Sequence, residues 1–371
     1  MNNPLTIMEL CLSPGVGGLE LYAVRTAEQL RNRDIPCLAV VRPDTMTAKR
    51  MTELDIKVLF LKRYVIFFPL LAAYALAKMI DHEKVDVIHM YWGKDLNLAV
   101  LAKQFAKRDV KLVYTRQMVI TRPKFDVYHR YLYRHIDLFL TISKQLLELA
   151  HRFLPMPRSA VKLLYYGVKK PTLLSDQQRR NLRKQFGIIK DDDIAIGLIG
   201  RIESNKGQHL LIKAIRQLKE KGYDIHGTII GPVMNKDYYN KLQESVALQG
   251  LQKYLTFFGS HKNPLEIMAA FDVVVLASEM ETFGLVLIEA MRSGVVVIGT
   301  NAGGVPEIIE HEVSGLMFEP NSAEDLTEKL ELLCRDKTSR LRLAIEGQKI
   351  ADEKFSQEKH YDELVQYFTS P

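Results

Sequence analysis

Cysteine is scarce in this 371-residue chain, and the three present (Cys11, Cys37 and Cys334) are far apart. They form neither a disulfide framework nor a zinc-binding spacing, so a reducing, cytoplasmic setting is expected. Long apolar runs are also missing. The longest uncharged one, residues 64–77, is shorter than the roughly 20 residues a membrane span needs. The first apolar stretch, residues 5–12, contains Glu9 and follows no basic segment, so no secretion signal is expected. Low-complexity sequence is absent too. With 47% hydrophobic and 26% charged residues, the composition excludes a disordered chain and allows two ordinary domains.

Charge is unevenly distributed. Residues 1–170 hold 27 Lys and Arg against 15 Asp and Glu, a balance of +12. The remainder holds 24 against 29, a balance of −5. A basic first half implies an anionic partner: a nucleic acid, an anionic membrane surface or a phosphorylated substrate.

Short β-branched runs alternate with helical patterns along the whole length. Strands are expected at residues 5–10, 37–41, 58–61, 85–90, 112–115, 138–142 and 161–164. A second series is expected at 194–199, 226–230, 255–258, 273–277, 295–299 and 316–318. Most lack polar alternation, as parallel strands buried on both faces do. The pattern is α/β, with two doubly wound, Rossmann-like domains. The first covers 1–170 and the second 190–354, with a linker near 169–193 that includes a polar helix at 175–186. Ligands of such sheets bind beyond the C-terminal strand ends, so two domains facing a cleft would hold one between them.

Four segments carry the candidate chemistry. The first runs from Ser278 to Gly294 and contains Glu281-Thr282-Phe283-Gly284-Leu285 and Glu289. A helix is expected to start near Phe283-Gly284 and end at Gly294, leaving the amides of Phe283, Gly284 and Leu285 free to hold phosphate oxygens. Glu281 and Glu289 are eight positions apart, which in a helix is about 12 Å. That spacing suits a carboxylate clamp on the two ends of a nucleotide diphosphate sugar. The second is Gly200-Arg201-Ile202-Glu203-Ser204-Asn205-Lys206-Gly207. Arg201 offers a planar donor fork and Lys206 a point charge, both suited to a diphosphate that gains charge as it departs. The third is Gly15-Val16-Gly17-Gly18-Leu19-Glu20, a glycine turn that allows close phosphate approach. Glu20 stands where a dinucleotide fingerprint needs glycine, which argues against an NAD site. The fourth is Asn301-Ala302-Gly303-Gly304-Val305-Pro306-Glu307, a glycine turn into a short helix.

In this order, over nearly the whole chain, the four segments resemble glycosyltransferase family 4, retaining enzymes with the GT-B fold. The specific part is the E-x7-E pair, Glu281 and Glu289, within S-x-x-E-x-F-G and E-A-M-x-x-G text. The resemblance implies transfer of a hexose from a nucleotide-sugar donor to a glycan or lipid-linked acceptor. A role in bacterial cell-surface polysaccharide or lipopolysaccharide synthesis is part of the same expectation. It implies that Glu281 contacts the transferred sugar, Glu289 the ribose, and Arg201 and Lys206 the leaving diphosphate. Gly17 and Gly18 then bring the first domain's backbone to the donor phosphates, and Gly200 and Thr282 line the donor site. No metal and no cofactor are expected. A terminal helix at about 355–371 is expected to pack back on the first domain. Where the family often has a histidine, after the strand at 112–115, this chain has Gln117, which cannot act as a general base. Gln117 and His89 are the acceptor-side candidates.

Ordinary readings stand beside these. Glu281, Glu289, Arg201 and Lys206 are each common as solvated charges. Gly17-Gly18 and Gly303-Gly304 could be plain turns, and His89 a core histidine. Residues 64–77 read first as a core helix, although flanking Lys62, Arg63 and Lys78, with Phe67 and Phe68, also suit peripheral attachment at the inner face of a membrane. Competing functions are another GT-B enzyme such as a sugar-nucleotide epimerase, a member retained for binding only, and a nucleic-acid-binding protein. No nucleic-acid motif supports the last of these, so no nucleic-acid partner is expected.

Overall fold

The computed structural model describes residues 5–15, 17–62, 69–172, 174–190, 192–261 and 264–370. Phe67, Phe68 and Arg63 of the candidate membrane stretch, and Val16 of the glycine turn, lie outside them. The chain divides into two compact units. The first comprises Met1–Tyr165 and Lys359–Pro371, the second Tyr166–Glu358.

The first unit holds β1 (Ile7–Cys11), β2 (Cys37–Val41), β3 (Lys57–Phe60), β4 (Val87–Met90), β5 (Lys111–Arg116), β6 (Leu138–Thr141) and β7 (Val161–Leu163). They form one sheet in the order β3-β2-β1-β4-β5-β6-β7. The second unit holds β8 (Ile194–Ile199), β9 (Ile225–Ile230), β10 (Leu255–Gly259), β11 (Val273–Leu276), β12 (Val296–Thr300) and β13 (Leu316–Phe318), in the order β10-β9-β8-β11-β12-β13. Pairing is parallel throughout both sheets. All thirteen expected strands form, with ends shifted by a residue or two. Central strands such as β1, β4 and β9 are buried along their full length because helices cover both faces. β3, at an edge, is partly exposed.

The helices of the first unit are α1 (Gly18–Arg31), α2 (Met46–Glu53), α3 (Leu70–His82), α4 (Leu96–Phe105), α5 (Val127–Tyr133) and α6 (Lys144–Phe153). Those of the second are α7 (Asp176–Gln185), α8 (Gln208–Glu220), α9 (Lys236–Leu248), α10 (Pro264–Ile267), α11 (Leu285–Arg292), α12 (Ala323–Arg335) and α13 (Lys337–Lys354). The final helix, α14, is Gln357–Thr369.

The segment read as a linker is not one. Ser175 and Gln178 cap α7 reciprocally, and the helix is tied to the second unit by ion pairs of Arg179 (2.9 Å) and Arg183 (3.0 Å) with Asp272. Asp272 also accepts the Ala195 amide at 2.8 Å, so one carboxylate joins α7 to the start of β8. A helix this polar is held by charge rather than by an apolar face, which is why its sequence resembles a spacer.

The chain returns to the first unit in α14. Tyr361, Leu364 and Phe368 pack among Ile7, Val87, Val113 and Leu140. Burying apolar side chains of this size contributes about 1.5–3 kcal/mol each. Lys111 donates to the carbonyls of Tyr367 and Ser370 and so satisfies the helix's C-terminal end.

His360 lies buried in the first turn of α14. Its Nδ1 is 2.6 Å from the Tyr165 carbonyl oxygen, and its Nε2 is 2.9 Å from the Tyr22 hydroxyl. The carbonyl can only accept, so Nδ1 carries the proton and Nε2 accepts from Tyr22. Burial lowers the His360 pKa to about 4, only partly opposed by the Tyr165 carbonyl. An unfolded histidine titrates near 6.5. Between these values the unfolded chain binds a proton that the folded chain does not. Stability from this group is therefore complete above about pH 6.5 and is lost as pH falls toward 4, by at most about 3 kcal/mol. In urea melts, His360→Gln is expected to lower stability at pH 7 but to lose less than the wild type between pH 6.5 and 4. Parallel losses in the two proteins would contradict this role.

Candidate active site

In each sheet the strand order reverses direction between the first and fourth strand of its unit, at β1/β4 and at β8/β11. Loops leaving neighbouring strands on either side of such a point diverge and open a ligand site. In the second unit these are the loops holding Arg201 and Lys206 and the loop holding Glu281. β11 pairs with β8 (Val273 with Ile196), so both loops leave the sheet side by side.

The two loops are locked together at backbone level. Gly207 has φ 69°, and a Cβ there would lie 2.1 Å from the Ala277 carbonyl oxygen. Glycine is required both for the left-handed conformation and for the approach. Beside it, the Glu279 amide donates to the Asn205 carbonyl at 3.0 Å. This contact brings Lys206 to Glu281, with Nζ 2.8 Å from Oε2. The Ser278 hydroxyl donates to the same oxygen at 3.3 Å. Both members of the ion pair are only partly exposed, so the attraction is less screened than at the surface. Arg201 is more open, and its guanidinium lies 2.9 Å from Glu203 Oε1.

The Asn301–Glu307 turn buttresses the Glu281 loop. Gly303 has φ 62°, and a Cβ there would meet the Glu281 carbonyl oxygen at 2.1 Å. The Gly304 amide donates to that same carbonyl at 2.9 Å. A Cβ on Gly304 would stand 2.5 Å from the Thr282 carbonyl oxygen. Phe283, next along, is buried edge-on between Tyr166 and Phe355.

α11 begins later than the sequence indicated. Gly284 is its N-cap, in left-handed conformation at φ 99°, and Leu285 is its first residue. The amides without a helical acceptor are therefore Leu285 and Val286 after the cap, and Phe283 precedes them. The Glu281–Glu289 separation is not one helical rise either. Only Leu285 to Glu289 is helical, about 6 Å of rise, and the Thr282–Gly284 loop supplies the rest. Glu289 is half-buried one turn into α11, and Gly294 takes the expected left-handed position at φ 71° beyond the helix end.

In the first unit, Glu20 organises the glycine turn. It accepts from the Ser13 hydroxyl and, at 2.7 Å, from the Gly17 amide. The residue that breaks the dinucleotide fingerprint is therefore the one that holds the turn. A Cβ on Gly18 or on Gly200 would have nothing within 4 Å, so packing does not account for glycine at either position.

His89 is corrected to a core residue. It is completely buried, 2.7 Å from Thr115 Oγ1 and 3.3 Å from Glu9 Oε1. Tyr91 closes the cluster by donating to Glu9. A side chain sealed on both ring nitrogens cannot meet an acceptor. Gln117 remains: it follows β5, and its Nε2 is buried without a hydrogen-bond partner among the described residues. Neighbouring Arg116 is fully engaged, with the carbonyls of Met118 and Val119 and the Tyr114 hydroxyl. Glu203 and Gln208 were not singled out as site residues from the sequence, and Ser278 entered only as the first residue of the S-x-x-E motif whose hydroxyl reaches Glu281.

A family model for glycosyl transferases group 1 matches residues 178–350, and one for glycosyltransferase family 4 matches residues 16–170. The chain is 24% identical over 358 residues to N-acetyl-alpha-D-glucosaminyl L-malate synthase of Bacillus anthracis, covering 93% of this chain and 92% of that protein. It is also 24% identical over 356 residues to the capsular polysaccharide biosynthesis glycosyltransferase CapM of Staphylococcus aureus, covering 92% of each. In fold it is similar to Anabaena HepE in complex with UDP-glucose, with a TM-score of 0.84, 24% identity, and 99% of this chain and 100% of that one covered. A glycosyltransferase from Rickettsia africae has a TM-score of 0.90 at 20% identity, covering 99% of this chain and 98% of that one. Together the two family models span most of the sequence and divide where the two sheets divide, and the chain belongs to the group 1 glycosyl transferases of glycosyltransferase family 4, with the two-domain GT-B fold.

Proposed function

We propose that this glycosyltransferase is a retaining, metal-independent hexosyltransferase that uses a nucleotide-sugar donor. Its acceptor is a glycan or a lipid-linked glycan of cell-surface polysaccharide or lipopolysaccharide synthesis. The observation that carries the proposal is the Lys206–Glu281 pair, 2.8 Å apart at the adjoining ends of β8 and β11 and just before the N-terminus of α11. A carboxylate for the sugar and a cation for the phosphate stand together beside helix amides that have no intrahelical acceptor. In the reaction the bond from the sugar's anomeric carbon to the diphosphate oxygen breaks, and the departing diphosphate takes the electron pair. Lys206, Arg201 and the first amides of α11 stabilise that charge, and they act most strongly when it is greatest. The acceptor hydroxyl attacks from the face the leaving group vacates, and a leaving phosphate oxygen receives its proton. No protein base is needed, which accommodates Gln117 and a buried His89. Glu281 holds the sugar hydroxyls and Glu289 the ribose. Retention rests on the family likeness. HepE's complex with UDP-glucose makes uridine the first nucleotide to test.

Lipid attachment is supported by the first unit's charge and by where its exposed apolar side chains lie. Leu71 is 88% exposed and Val127 86%, with Leu70, Tyr74, Phe125 and Tyr128 also open. Both groups follow the C-terminal ends of strands, β3 and β5. Lys78 stacks over Tyr74, and Arg122, Lys124 and Arg130 surround the second group. No helix among the described residues is long and apolar enough to cross a membrane. We assign this surface to reversible contact with an anionic leaflet at the cytoplasmic face.

Thermal-shift screening of UDP, GDP, ADP and dTDP is expected to identify one stabilising diphosphate, by about 2.7 kcal/mol at 100 times its dissociation constant. Glu281→Ala is expected to abolish transfer and leave affinity for that diphosphate within about threefold; an equal loss of both removes Glu281 from the sugar. Turnover is expected to survive EDTA, and activity lost to EDTA and restored by magnesium or manganese would overturn metal independence. In vesicle flotation the protein is expected to rise with anionic liposomes at low salt and much less at high salt. Leu71→Asp, at a fully open position, is expected to weaken flotation without lowering the melting temperature, and a protein that never floats contradicts attachment.

A further inference from the structure

Gln208, the first residue of α8, is completely buried. Its Nε2 donates to the Arg201 carbonyl at 2.9 Å. Its Oε1 is also buried and has no hydrogen-bond partner among the described residues. Such a residue is a poor choice for stability. A buried polar atom without a partner costs free energy, and the surrounding positions of α8 are Leu210, Leu211 and Ile212. An apolar side chain of similar volume would fill the site without that cost. The feature that an apolar side chain cannot supply is the bond to Arg201.

That bond fixes a particular peptide plane. The Ile202 amide donates to the Pro232 carbonyl at 2.9 Å, which holds one edge of the Arg201–Ile202 peptide. Gln208 holds the opposite edge through the Arg201 carbonyl. The Gly200–Arg201 peptide, on the other side of the Arg201 Cα, is confined by Gly231, where a Cβ would lie 1.8 Å from the Gly200 carbonyl oxygen and 3.3 Å from the Arg201 nitrogen. With the planes on both sides fixed, the Cα–Cβ direction of Arg201 is fixed too. An exposed, flexible guanidinium then starts from a defined position, which reduces the entropy lost when it engages an anion. We infer that Gln208 is a positioning residue for Arg201, acting through the backbone on the cation that meets the leaving diphosphate. The inference rests on the role proposed above for Arg201.

The test is a double-mutant cycle read by calorimetry with UDP, repeated with inorganic pyrophosphate, which carries the leaving group's charge without a base. Arg201→Ala is expected to weaken binding roughly tenfold, as loss of a charge-assisted contact does. Gln208→Met, which conserves volume and orphans no other buried donor, is expected to weaken it about fivefold with an unchanged melting temperature. The double variant is expected to bind no worse than Arg201→Ala alone, whereas combining Gln208→Met with Glu289→Ala should multiply the two losses. A role in general stability would multiply in both combinations and would overturn the inference, as would Gln208→Met binding like the wild type. Should Gln208→Met fail to fold, Gln208→Asn, too short to reach Arg201, is read in the same cycle. Arg201→Ala with wild-type affinity, or a wild-type protein that binds neither probe, overturns the role of Arg201 and this inference together. An impaired Arg201→Ala beside an unimpaired Gln208→Met overturns this inference alone.

Discussion

The close approach of two loops at the β8/β11 switch point is the constraint on which the rest of the site depends. Gly207 against the Ala277 carbonyl leaves no room for any side chain, and the Asn205–Glu279 backbone bond sits beside it. Only with this contact in place can a lysine from one loop reach a glutamate from the other. The Lys206–Glu281 pair is therefore as much a result of glycine sterics as of charge. Once formed it is demanding, since removing either partner leaves a part-buried charge without compensation. The pairing also holds the two side chains in place before a ligand arrives, which is what electrostatic preorganisation requires.

A second layer of glycines supports the first. Gly303 and Gly304 press on the backbone of Glu281 and Thr282, and Gly231 presses on Gly200. These contacts are backbone to backbone, with little freedom to relax. The site's side chains stand on this closely packed frame. Gly18 and Gly200 differ, because nothing of the protein lies near the position of a missing Cβ. Under the proposed function, that space is where a ligand would approach the backbone.

The two units solve different problems. In the second, half-buried charges from two loops meet at the β8/β11 switch point. In the first, the buried polar cluster of Glu9, His89, Tyr91 and Thr115 is internally satisfied and lies in the core. Its surface is basic and carries open apolar side chains after β3 and β5. That division is the one the proposed function requires, with the donor in the second unit and the acceptor met by the first.

Much of this was determined by the sequence alone. Strand positions were legible because parallel strands buried on both faces must be continuous apolar runs, and all thirteen appeared. The charged residues proposed for the donor site were legible because Arg201, Lys206, Glu281 and Glu289 occur at fixed spacings within glycine-punctuated text. Three features were decided only by tertiary structure. His89 is a core residue because Glu9 and Thr115, on neighbouring strands β1 and β5, close around it, and no local pattern encodes that pairing. Helix α7 belongs to the second unit because Asp272, about 90 residues away in sequence, holds two of its arginines. Gln208 meets the Arg201 carbonyl only because the chain between them folds back on itself. Local physics sets which elements form, since periodicity and turn chemistry act between near neighbours. Partners for a buried polar group such as His89 come from distant segments, and the folded topology alone brings them together.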